Sequence, residues 1–141
     1  MRCTLQGVSM EVPLPPRQRP TGLDKPWGAI VVISWVLITA ALAAAAVTGR
    51  NIGKPTWWLG TESDPAWPVL WVVPFLAPIA VIVCTIAAGR WAPFAGMGAS
   101  LFLGAVALLD LENTPAVALI EVVIAIAALL VSFASLAGRR N

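Results

Sequence analysis

Four long stretches of this chain carry at most one charge each, and their spacing constrains the fold more than any motif does. No Asp, Glu, Lys or Arg occurs between Lys25 and Arg50, between Asp64 and Arg90, or between Arg90 and Asp110; Glu121 stands alone between Glu112 and Arg139. Each stretch approaches the roughly 20 apolar residues with which a helix crosses about 30 Å of hydrocarbon. Only 11% of the residues are charged and 59% are hydrophobic, against about 25% charged in soluble domains. A water-soluble domain of this size cannot hide that much apolar surface. The chain therefore reads as all-α, a bundle of four transmembrane helices.

The spans are predicted at about 27–47, 68–88, 91–109 and 114–137, together forming one membrane domain over 27–137. Residues 1–26 hold five prolines and four basic residues, a composition that resists helix and has little to bury, so they read as a flexible basic cytoplasmic tail. Met10 serves as well as Met1 for a start. Span one is too long for the apolar region of a cleavable signal and reads as an uncleaved signal-anchor. Residues 138–141 form a second short cytoplasmic tail.

Orientation follows the basic residues near the span ends. With both termini inside, Arg2, Arg17, Arg19, Lys25, Arg90, Arg139 and Arg140 are cytoplasmic, and only Arg50 and Lys54 lie outside. Trp27 and Trp91 then mark the inner boundary, and Trp57, Trp58 and Trp67 the outer one, where amphipathic rings anchor. Seven arginines against two lysines in an alanine-rich chain lean toward a high-GC bacterial source, hence an inner cell membrane.

Two faces are marked for helix contact. In span three, Gly96, Ser100 and Gly104 recur every four residues and are expected to let another backbone come close. In span four, Ala118, Glu121, Ala125, Ala128, Ser132 and Ser135 follow a 3, 4, 3, 4, 3 spacing. That spacing keeps every small or polar residue on one stripe, predicted to face protein. In span two, Pro74 and Pro78 each remove an amide donor and are expected to bend the helix.

Glu121 is the sharpest chemical feature. An ionised carboxylate inside a span costs on the order of a few kcal/mol unless it is paired, hydrated or protonated. Three readings stand: a site for proton or cation coupling, an interhelical contact with Ser34, Thr39, Ser100 or a backbone carbonyl, and a contact with another membrane protein. The loop 48–66 is the second feature. Trp57 and Trp58 offer either an interfacial anchor or an exposed platform for a lipid or partner. Glu62 and Asp64, if joined by Asp110 and Glu112, offer oxygen ligands to a divalent cation.

The chain has no His and no Tyr, which removes histidine metal ligands, histidine haem ligation and any histidine-containing triad. No P-loop, Cys-x-x-Cys or GxSxG occurs, and no cofactor is implied. No basic stripe with interleaved aromatics favours nucleic acid. The expected partners are the lipid bilayer and a membrane protein or further copies of the chain. The expected function is that of a non-enzymatic accessory or assembly protein, with a small oligomeric proton-coupled transporter using Glu121 as the alternative.

Overall fold

The computed structural model describes residues 23–138; the expected N-terminal tail, apart from its last four residues, and residues 139–141 lie outside it. Four helices follow one another: α1 over Lys25–Asn51, α2 over Val73–Ala87, α3 over Ala92–Leu109 and α4 over Pro115–Ala137. No strand forms among the described residues. Each helix, with the turn that leads into α2 counted in, is long and apolar enough to cross a membrane, and the chain is a small multi-pass membrane protein.

Helix starts follow local chemistry. Proline occupies the first turn of every helix, where its missing N–H would have no intrahelical partner and its fixed φ suits the helix. α2 is entered through a 3-10 turn over Leu70–Val72. Pro78 lies inside α2, so the carbonyl of Pro74 receives no amide from it. α1 runs four residues past its expected end at Val47, because Thr48, Gly49 and Arg50 stay helical. A Cβ on Gly49 would stand 2.8 Å from the Lys54 carbonyl oxygen and 3.3 Å from a Val117 methyl. Glycine thus lets the returning loop, which donates Lys54 N–H to the Gly49 carbonyl at 2.8 Å, press against the last turn of α1.

Each helix packs against its chain neighbours, and α4 closes on α1, with no backbone-level contact across either diagonal. The arrangement is an up-down-up-down ring of four. Its centre is filled by Val31, Trp35, Ile38 and Leu42 of α1, Val81 of α2, Ala99 and Leu103 of α3, and Ala125 and Ala128 of α4. A second, smaller cluster of Ala46, Trp58 and Val106 lies at the end where the 52–69 loop and the α3–α4 turn meet, with Trp57 and Phe75 packed against it. This is called the loop end below; the other is the terminal end.

The outward faces invert the pattern of a soluble protein. Leu37, Ile86, Leu101, Leu119 and Leu130 are each more than 60% exposed, which suits a surrounding of acyl chains. Tryptophans ring both ends: Trp91 is exposed at the terminal end, and Trp67 and Trp71 at the loop end.

Candidate functional site

The polar stripe of α4 turns inward along its whole length: Ala118, Glu121, Ala125, Ala128, Ser132 and Ser135 are all buried. Its hydroxyls are occupied locally. Ser132 donates to the Ala128 carbonyl at 2.8 Å and Ser135 to the Ser132 carbonyl at 2.7 Å. Ser132 also meets Gly96 of α3, where an added Cβ would collide with Ser132 Oγ and lie 3.0 Å from Ser132 Cβ. Gly96 therefore sets the approach of α3 to α4, and Ser100, buried beside it, donates to the Gly96 carbonyl at 2.7 Å.

Gly104 departs from the expected contact face, since an added Cβ there would meet nothing within 4 Å. The reason is helical phase: at 3.6 residues per turn, two steps of four residues rotate the position by about 80°. Gly104 instead floors an open groove of about 400 Å³ between α3 and α4, whose walls include Leu101, Leu108, Val122 and Ile126.

Glu121 lies at the loop end of this stripe and is 3% exposed. Two of the hydroxyls expected from the sequence donate elsewhere, Thr39 to the Trp35 carbonyl and Ser100 to the Gly96 carbonyl. Glu121 faces the carboxyl of Asp110 and the indole of Trp58. Asp110, read from the sequence as a candidate oxygen ligand beside Glu62 and Asp64, is 1% exposed. Its Oδ1 accepts the Trp57 backbone N–H at 2.8 Å and lies 3.5 Å from Thr114 Oγ1. Burial pushes the Asp110 carboxyl above the ordinary aspartate range, against the opposing pull of the Trp57 N–H, the Glu121 side chain and Thr114.

The two tryptophans of the loop do not make an exposed platform. Trp58 is 2% exposed, stands edge-on to Phe75 with ring centroids 5.7 Å apart, and turns its indole toward Glu121. Trp57 is half-buried, and its Nε1 donates to the Val106 carbonyl at 3.4 Å. Together they clamp the loop onto the ends of α3 and α4.

Glu62 and Asp64 are exposed in a tight turn closed by a bridge between Gly60 and Pro65. Gly60 has φ +71°, and a Cβ there would run into the Ala66 nitrogen. Thr61 Oγ1 accepts the Asp64 N–H at 2.9 Å, and Arg50 Nη2 donates to the Thr61 carbonyl at 3.4 Å. The 52–69 loop and the α3–α4 turn do meet, but through Asp110 and the tryptophans. Among the described residues no three Asp, Glu or Cys side chains come together as a metal site, so the four acids are not gathered around one cation.

Five buried polar atoms at this end have no hydrogen-bond partner: Arg50 Nε on the last turn of α1, Thr56 Oγ1, Trp58 Nε1, Asp110 Oδ2 and Glu121 Oε2. Trp58 Nε1 lies beside the Glu121 carboxyl without reaching hydrogen-bond geometry. The sequence marks Glu121 as an intramembrane acid and Asp110 only as one of four loop acids; it does not pair the two. The available signal was that Asp110 and Thr114 flank a turn of only a few residues before the Pro115 helix start, where an aspartate is held next to the bundle whatever its solvation. Comparison with protein-family models, with curated proteins and with solved structures gives no match.

Proposed function

We propose that this membrane protein is a non-enzymatic assembly partner, docking an apolar helix of another membrane protein, or of a second copy, along the open groove between α3 and α4. The observation that carries this reading is the groove itself. It is about 400 Å³ in volume and lined almost wholly by apolar groups, and Gly104 at its floor leaves room for an incoming side chain. The one hydroxyl on its wall, Ser100, is already bonded to its own helix, so the groove asks for shape and not for hydrogen bonds. Small-residue surfaces of this kind favour close helix approach in lipid, where packing drives association.

The transport reading draws on Glu121, and it is less well supported. Between Glu121 and the terminal end, the bundle is filled by Trp35, Leu103, Val81 and Ala128. The hydroxyls of Ser100, Ser132, Ser135 and Thr85 are returned to their own helices. A proton path needs groups that can pass a proton on, and these are engaged. For catalysis, the two buried acids lie under Trp58 and not in an open cleft. The distribution of basic residues supports an inner-membrane location with both termini in the cytoplasm and the loop end outside.

A photo-crosslinker at Leu101, introduced in native membranes, tests the proposal. A single stoichiometric protein adduct that Gly104→Leu abolishes, with the fold retained, is the expected result. Adducts to lipid alone, or a protein adduct indifferent to Gly104→Leu, reject it. Flux measured in vesicles with and without Glu121→Gln tests the transport reading separately.

A further inference from the structure

The loop end holds an electrostatic problem that the helix packing does not solve. Asp110 and Glu121 are 1% and 3% exposed and face one another. No described element around them brings a compensating charge to the pair. α1 brings Ala46 and Gly49, and α2 brings Phe75 against Trp58. The 52–69 loop brings the Trp57 N–H and the Trp58 indole. The α3–α4 turn brings Thr114. The basic residues at this end turn elsewhere: Arg50 Nη2 donates to the Thr61 carbonyl, its buried Nε has no hydrogen-bond partner, and Lys54 is exposed. Among the described residues neither acid is ion-paired. Two like charges in such a place cannot both persist.

The unmatched atoms indicate what relieves it. Asp110 Oδ2 and Glu121 Oε2 are both buried acceptors with no donor. A buried acceptor left without a donor destabilises the fold. Trp58 Nε1, itself buried and unpartnered, points at Glu121 and supplies one donor for a single remaining negative charge. A proton on one carboxyl turns that group into the donor the other lacks. It removes the repulsion and satisfies both oxygens at once.

We propose that Asp110 and Glu121 together form a proton-binding site, with one proton held between the two carboxyls beneath Trp58. Because Oδ1 of the same aspartate accepts the Trp57 N–H, the proton also keeps the 52–69 loop seated on the bundle. The ligand is the proton itself; an alkali cation is the competing occupant. The site is independent of the groove between α3 and α4, and either can fail alone.

Infrared titration of the protein in phosphatidylcholine vesicles, with choline as the sole salt cation, reads the site directly. The carbonyl stretch of a neutral carboxyl is expected to persist at neutral pH in the unaltered chain. It should be unchanged when sodium replaces choline. Its titration midpoint should fall by about one pH unit or more in Asp110→Asn, which removes one of two repelling charges. Absence of the band at neutral pH overturns the proposal, as does an unshifted midpoint in Asp110→Asn, which would leave Glu121 protonated by burial alone. Loss of the band on adding sodium overturns it in favour of a cation site. If Asp110→Asn does not reconstitute as a helical, monodisperse protein, Asp110→Ser is titrated in its place with the same outcomes.

Discussion

The middle of the bundle and its loop end are both buried, yet they handle polar groups in opposite ways. In the middle, the hydroxyls of Thr85, Ser100 and Ser132 bond to the carbonyl four residues back in their own helix, and helices meet through small residues such as Gly96. The indole nitrogen of Trp35 is the one exception there. At the loop end, polar bonds cross between elements, the longest joining Trp57 N–H to Asp110 over 53 residues of sequence, and five polar atoms remain unmatched. The middle is thus assembled by shape, and the loop end by a few specific polar links around two acids. Such links matter most where the chain leaves the regular helix and its backbone groups need partners.

The largest expected effect separates the two regions at their aromatic centres. Trp58→Ala removes the side chain that joins the loop to Phe75 and the acid pair, and it should cost about 3 kcal/mol or more. In hydrogen exchange the added exposure should be confined to residues 52–69 and the 110–114 turn. Trp35→Ala should instead loosen all four helices together. If Trp58→Ala loosened the whole bundle evenly, the division into two regions would be lost.

Next in size is the approach of α3 to α4. Gly96→Val drives a side chain into Ser132 and should destabilise the protein by about 1–3 kcal/mol in thermal unfolding. Gly104→Val enters open space and should stay within about 0.5 kcal/mol of the unaltered protein. Equal effects at the two glycines would contradict the helical phase that separates them.

A smaller effect is the pH dependence that Asp110 gives to stability. Its folded value lies above that of the unfolded chain, so the folded state holds more proton in the interval between the two. Its contribution is fully present below the unfolded value and is lost as pH rises through the folded one. The slope cannot exceed about 1.4 kcal/mol per pH unit for one proton. Denaturation midpoints in detergent should fall with rising pH across that window, and Asp110→Asn should flatten the curve. A curve that rises with pH there would reverse the assignment.

The smallest effect belongs to the locally bonded hydroxyls. Ser100→Ala and Ser132→Ala each remove a bond within one helix and should change stability by less than about 1 kcal/mol. A larger loss would mean that these groups hold helices to one another, as the loop-end groups do.

The spacing of charges determined four helices, and the run of small and polar residues from Ala118 to Ser135 determined which side of α4 turns inward. Both follow from periodicity, because a lipid-immersed helix has only its own 3.6-residue repeat with which to sort lipid from protein. Tertiary structure alone decided that Asp110 is buried against Glu121, that Trp58 turns in and not out, and that Gly104 lines a groove while Gly96 makes a contact. Those outcomes depend on where a loop of more than fifteen residues folds back and on how far a helix face drifts over two turns. Neither is encoded in any short window of sequence, since the partners that fix them lie about ten to more than fifty residues away along the chain.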